Sequence, residues 1–299
     1  MRLGVFVSNE GEFAFRLGLG QMAEVAESAG ADGLWVSDHL LLFDEPTTEY
    51  PFSEDGAPTW DMTGDYYEAL TCCATMAAVT DRCRIGTAIL VLPQRNVFEV
   101  AKMSATIDRL SGGRFALGVG AGWHSREMEG LGYDFSRRGR RFDEMLDVLR
   151  TCWSGRPAPF AGDEISVPER AVMRPRPVRD AGIPLLVGGM SEAARRRATG
   201  KGDGWLALAV ADRWDRDLLA DQLAEVRKRR GSDEPFEALL QLNCDPEDTG
   251  QVIELATEAA SIGFEEVIIE PPWTRGLSRA GEAIAEVRQA TSDSRRGVR

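Results

Sequence analysis

The chain has 299 residues, 43% of them hydrophobic and 28% charged, with a net charge of −13. That balance suits a globular protein with one large core, and no apolar run approaches the roughly 18 residues that a membrane-spanning helix needs. The acidity argues against binding nucleic acid or an anionic membrane, and five cysteines without a CxxC spacing fit reduced thiols of a cytoplasmic protein rather than a disulfide framework.

Strand-like and helix-like segments alternate along the chain. Leu3 to Val7 alternates, has no cleavage site of an export signal, and reads as a first strand. It runs into Ser8-Asn9-Glu10-Gly11-Glu12 rather than the GxGxxG turn of an open dinucleotide-binding sheet. A stripe of Leu19, Met22, Ala23 and Ala26 predicts a helix closed by Gly30. Strand two, Gly33 to Ser37, opens a long stretch, residues 41 to 65, that mixes prolines, aromatics and carboxylates. Loops of that length are usually functional, and Phe43, Tyr50, Phe52 and Trp60 are expected to close as a lid over a small-molecule substrate and exclude water.

Strand three is Arg84 to Val91, followed by a helical stripe at Val97, Val100, Ala101 and Ser104. Strand four, Arg114 to Val119, precedes a helix with Phe142, Met145, Leu146, Leu149 and Trp153 inward, then a proline-rich excursion over residues 154 to 183. Pro184 to Val187, Gly204 to Leu208, Glu237 to Leu242 and Glu266 to Glu270 complete eight strands, with Gly231 as a second left-handed cap and Val252, Leu255, Ala256 and Ala259 on the helix before the last. Eight βα alternations in this length predict an α/β fold, a (β/α)8 TIM barrel as a single domain over residues 1–290, with 291–299 as a disordered tail.

Barrel sites are assembled at the carboxyl ends of the strands, which narrows the search. Strand two ends at Asp38 and His39, one of only two histidines; a lone histidine is either a structural hydrogen-bonder or, at this place, a catalyst. Thr87, Ala88 and Ile89 lie in the last part of strand three, where the small residues Gly86, Thr87 and Ala88 either admit a planar ring or simply pack the barrel. Gly120, Gly122 and Trp123 leave strand four, suited to backbone close to a ligand with an aromatic wall, or to tight packing alone. Gly188, Gly189, Met190 and Ser191 open the helix after strand five, where amides and dipole make an anion site, with Ser191 as phosphate ligand or plain cap. Two histidines are too few for a metal-dependent barrel hydrolase, so no metal is expected, and neither a GxSxG elbow nor a P-loop is present. Chemistry without nucleophile or metal points to an organic cofactor.

The block from Cys83 to Asn96, with Ala101-Lys102, Asp108 to Phe115 and Gly118-Val119-Gly120-Ala121-Gly122-Trp123, resembles the luciferase-like monooxygenase superfamily. Gly33 to His39, Arg138 to Glu144, Leu186 to Ser191 and Gly202 to Trp205 fit it in the same order, so the resemblance spans roughly residues 1 to 275 and looks nearest the actinobacterial subgroup that uses coenzyme F420. The resemblance implies a deazaflavin (F420) or flavin (FMN) ring in the barrel mouth, its phosphate at Gly188, Gly189 and Ser191, and a non-prolyl cis peptide at Ala88-Ile89 under the ring. It makes His39 the proton-transfer group, oriented by Asp38, and a homodimer through helices two and three, with Leu70, Cys73, Ala74, Ala77 and Val100 near the contact. Relatives acting on sugar phosphates have an acidic residue where this chain has Trp123, which points instead to a hydrophobic or aromatic substrate.

Three functions follow in order: hydride transfer with F420; oxygenation with FMN supplied reduced by a separate reductase; and a non-catalytic flavin-binding protein, against which His39 and the long loop count. Arg195 to Arg197 would attract the acidic tail of F420, or form an ordinary solvated helix face.

Overall fold

The computed structural model describes residues 1–44, 48–53, 55–58, 60–231 and 235–293. Eight parallel strands form the barrel: β1 (Arg2–Phe6), β2 (Gly33–Val36), β3 (Arg84–Thr87), β4 (Phe115–Gly120), β5 (Leu185–Gly188), β6 (Gly204–Val210), β7 (Glu237–Asn243) and β8 (Glu266–Ile269). β1 pairs with both β2 and β8, and the ring closes where β3 meets β4, with Ile85 opposite Phe115 and Gly86 opposite Ala116. The expected (β/α)8 barrel is the fold, because each strand buries both faces, one in the barrel and one under a helix.

The barrel interior is filled by Phe6, Trp35, Ala116, Leu186, Leu206, Leu239 and Ile268, with Ala88 just past β3. Trp35 dominates the floor. A Cβ at Gly86 would lie 2.4 Å from its ring, and one at Gly33 only 2.3 Å from the Glu266 carboxylate, so these two strand positions admit no side chain. The Trp35 indole donates to Glu266 at 2.7 Å, and Arg2 meets the same buried carboxylate at 3.0 Å. Arg84 joins through Glu237 at 2.5 Å, so the floor is polar but paired.

Helices start where the sequence supplies caps. Asn96 accepts from Phe98 N at 2.9 Å to begin Val97–Leu110, and Ser191 accepts from Ala194 N at 3.2 Å to begin Glu192–Lys201. Gly231 ends Arg216–Arg230 in the left-handed region.

The cis bond that the resemblance implied lies at Ala88–Ile89, and it breaks the expected continuous strand three, which ends at Thr87 and resumes as Leu90–Val91. The excursion over residues 154–183 contains a short hairpin, Phe160–Ala161 with Ser166–Val167, whose turn amides Asp163, Glu164 and Ile165 are gathered by the Glu144 carboxylate. The last helix, Leu277–Asp293, continues into the span expected as a tail; residues 294–299 lie outside those described, as do 45–47, 54 and 59 of the long loop.

The helices expected to carry a dimer contact, Ala69–Val79 and Val97–Leu110, pack on the barrel. Leu70, Cys73, Ala77 and Val100 are 0, 0, 6 and 2% exposed, because helical spacing turns them onto the chain's own barrel, and Ala74 is half-buried. They belong to the chain's own core. The outward faces of Ala69–Val79 and Val97–Leu110 present Thr71, Thr75, Val79, Met103 and Leu110 instead.

Candidate active site at the mouth of the barrel

A cavity of about 880 Å³ opens at the carboxyl ends of the strands and is lined from β1 round to β8. The segment leaving β1 is stitched to the end of the long loop: Gly11 N donates to Asp65 O at 2.9 Å, Tyr67 N to Asn9 O at 2.8 Å, and the Asn9 amide to Tyr67 O at 2.7 Å. That stitching holds Glu10 opposite Tyr66, whose hydroxyl hydrogen-bonds Ser37 Oγ beside His39.

His39 lines the cavity from the end of β2. Its Nδ1 lies 2.7 Å from Glu127, and the other Glu127 oxygen accepts from Leu40 N at 2.7 Å, Leu41 N at 3.3 Å and Gln94 Nε2 at 3.1 Å. Burial pushes Glu127 upward, but the His39 hydrogen bond and the backbone amides outweigh it and hold the acid below its ordinary range. An ionised carboxylate at Nδ1 fixes the tautomer with the proton on that nitrogen, which leaves Nε2 to take or give a proton at the cavity.

Asp38, expected to orient His39, does not. Both its oxygens go to Arg95, at 2.5 and 3.2 Å, and one also accepts from Val91 N at 2.9 Å, so it ties β2 to the resumed strand after the cis bond. The orienting carboxylate is Glu127, which comes from the short helix after β4 and carries no motif that the sequence reading singled out.

The rings of Tyr50, Trp60 and Trp123 pack edge to face, with centroids 5.1 to 6.4 Å apart, and Phe52 lies 5.4 Å from Tyr50. Trp60 and Trp123 stand 5.6 and 6.2 Å from the His39 ring. Phe43, the fourth residue expected in the lid, is not on the cavity; it packs 5.5 Å from His124 and under Arg126 at 4.2 Å. His124 is buried there with neither ring nitrogen hydrogen-bonded among the described residues, away from the lining.

Ala88 and Ile89 form a ledge in the lining just past β3. A Cβ at Gly188 would lie 2.5 Å from Ile89 Cγ2, and one at Gly120 would lie 2.6 Å from Ile89 Cδ1. The glycines of β4 and β5 therefore make room for Ile89, and Gly120 and Gly188 line the cavity beside it. Thr87 is fully buried, its hydroxyl donating to Gly118 O at 2.6 Å, so it braces the barrel and is absent from the lining.

Gly189, Met190 and Ser191 line the far end, where the chain turns at Gly189 (φ 120°) into the capped helix. Arg197 of that helix reaches the lining while bound to Asp143 at 2.8 Å. Of its neighbours, Arg195 is paired with Glu225 at 3.1 Å, and Arg196 is exposed. A ring-sized space over a hydrophobic ledge, continuous with a helix N-terminus, fits a flavin-like group with its phosphate at Ser191.

Two carboxylates missed in the sequence also face the cavity. Glu10 and Glu270 are each pushed up to about 7, chiefly by burial, and Glu270 also by Glu10. Glu270 follows β8 directly and Glu10 lies in the segment that leaves β1, and this place past a strand end is the one signal that pointed to them.

Residues 1–297 match the family model described as luciferase-like monooxygenase. An uncharacterised protein of Mycobacterium tuberculosis is 32% identical over 216 residues, 72% of this chain and 73% of its own. The F420-dependent glucose-6-phosphate dehydrogenase of Beutenbergia cavernae is 33% identical over 213 residues, 70% of this chain and 57% of its own. Among solved structures, an F420-dependent secondary alcohol dehydrogenase in complex with an F420-acetone adduct has a TM-score of 0.75 at 18% identity, covering 97% of this chain and 98% of that one. The oxygenating constituent of the FMN-containing 3,6-diketocamphane monooxygenase of Pseudomonas putida has a TM-score of 0.74 at 12% identity, covering 98% of both. At those identities the structural likeness concerns the fold.

Proposed function

We propose that this chain, which belongs to the luciferase-like monooxygenase family, is an oxidoreductase that binds coenzyme F420 and exchanges a hydride with a small hydrophobic or aromatic organic substrate. The observation that carries the reading is His39, locked through Nδ1 on Glu127 with Nε2 toward a cavity large enough for a tricyclic ring.

The cofactor, when bound, supplies a hydride donor or acceptor. The chain's own residues supply the rest. The Ala88–Ile89 ledge supports the ring face, and Gly189, Ser191 and the helix they open receive the phosphate, with Arg197 adding positive charge. Nε2 of His39 delivers or removes the proton that accompanies hydride transfer, while Glu127 stabilises the charged imidazole. Tyr50, Phe52, Trp60 and Trp123 shield that nitrogen from water.

Support for F420 comes from the F420-dependent relative and the F420-dependent enzyme of like fold. A second reading, oxygenation with FMN supplied by a separate reductase, is favoured by a 115-residue stretch 40% identical to the 4-hydroxyprotoasukamycin monooxygenase of Streptomyces nodosus subsp. asukaensis, covering 38% of this chain and 31% of that one. Titrating F420 and FMN separately while following ring fluorescence decides between them: tight binding of F420 alone supports hydride transfer, and preference for reduced FMN supports oxygenation. We place the protein in the cytoplasm as a homodimer, joined through the exposed Val79, Met103 and Leu110; sedimentation of the Met103→Glu variant as a monomer is the expected result.

A further inference from the structure

The cavity differs in charge from end to end. Arg197, at the phosphate end, is the one Lys or Arg on its lining among the described residues, and it is already bound to Asp143. The arm that crosses from β1 to the ends of β6, β7 and β8 carries Glu10, Asp212, Asp245 and Glu270 and no cation. Glu10 and Glu270 stand beyond the carboxyl ends of the paired strands β1 and β8, where Val5 is in register with Ile269, and both line this arm of the cavity.

These two carboxylates are unlike the other acids of the site. Asp38 and Glu127 each take at least three hydrogen bonds. Neither Glu10 nor Glu270 has a side-chain hydrogen bond or ion pair among the described residues, yet both line the cavity in surroundings that disfavour charge. Both are half-buried, and carboxylates that line a cavity without a partner from the chain take their donors from whatever fills it. An ammonium brings three donors and a positive charge, and the aromatic rings of Tyr50, Tyr66 and Trp60 beside it suit both a cation and an apolar body.

We propose that the substrate carries a basic nitrogen, whose ammonium group sits between Glu10 and Glu270 while the apolar remainder packs against Tyr50, Trp60 and Trp123. This rests on the reading of the cavity as a cofactor-dependent oxidoreductase site and names the substrate class for it. An anionic substrate is repelled by the same pair, and a neutral alcohol leaves at least one carboxylate unmatched.

The test compares three compounds of one shape, phenethylamine, 2-phenylethanol and phenylacetate, by calorimetry on the F420-saturated protein near pH 8. The amine should bind at least about tenfold more tightly than the alcohol, and the acid most weakly. In Glu10→Gln and Glu270→Gln the advantage of amine over alcohol should fall below about threefold with alcohol affinity unchanged.

Amine affinity should also climb between about pH 6 and 8. Glu10 and Glu270 ionise there, with His39, Tyr50 and Tyr66 around the first, Cys244 near the second, and the charge of Glu10 also opposing ionisation of Glu270. Equal binding of amine and alcohol, or a preference that survives both substitutions, overturns the proposal. Failure of F420 to bind overturns the cofactor reading separately, because the same ranking is then read on the free protein by thermal shift.

Discussion

Replacing Glu127 by Gln keeps the shape of the side chain and changes only its acceptor capacity. The carboxylate receives four donors, His39 Nδ1 on one oxygen and Leu40 N, Leu41 N and Gln94 Nε2 on the other. An amide has one acceptor oxygen, and the three-donor side claims it, so the amide nitrogen turns to His39 and donates to Nδ1. The neutral imidazole must then carry its proton on Nε2, and the nitrogen facing the cavity changes from acceptor to donor. Nitrogen-15 NMR of labelled histidine reads that tautomer directly, and proton-coupled turnover should fall by about two orders of magnitude. Loss of one charge-assisted hydrogen bond costs about 2 kcal/mol, which over 299 residues lowers Tm by roughly 3 °C. Glu127 is held below its ordinary range, so the stability it gives is present above about pH 4.3 and lost as pH falls through its lower folded value. The Tm gap between wild type and variant should therefore persist at neutral pH and close below about pH 4. An unchanged tautomer, or a gap that persists in acid, would refute this account of His39.

Gly188→Ala places a Cβ 2.5 Å from Ile89 Cγ2 and should destabilise by about 1–3 kcal/mol and weaken cofactor binding; adding Ile89→Ala should recover at least about 1 kcal/mol in a double-mutant cycle. Glu266→Ala strips the partner from the Trp35 indole and from Arg2 at the barrel floor, so urea unfolding should show a loss of about 3–5 kcal/mol while cofactor affinity stays as it was. Glu270 is pushed up to about 7 by burial and by Glu10, so its contribution is greatest below about pH 4.3 and is lost as pH rises through 7. Calorimetry of Glu270→Gln without ligand should accordingly show a gain of order 2 kcal/mol at pH 8 and none at pH 4.

The order of strands and helices was legible in the chain because it rests on local chemistry: β-branched runs, helical stripes, Asn and Ser caps, and glycine where a helix must stop. Eight such alternations leave one economical closure, and the family blocks around Gly118 to Trp123 and Leu186 to Ser191 agree with it. The same local logic put His39 at a strand end and Ser191 at a helix start. What it left open were partners, because partners are set by geometry across the barrel. Asp38 adjoins His39 in sequence, but neighbouring positions at a strand end point to opposite sides, so Asp38 turns to Arg95 and the carboxylate on His39 arrives from Glu127, 88 residues away. Phe43 lies in the same loop as Tyr50 and Trp60, yet it packs outside the cavity on His124. Gly120 reads as backbone close to a ligand and Gly188 as part of an anion site; both line the cavity, but that they also leave room for Ile89, which the bend after β3 sends between them, is visible only in the fold. Glu10 and Glu270 carry no motif and lie 260 residues apart, and the pairing of the first strand with the last brings these two acids, without a side-chain partner among the described residues, to the same cavity.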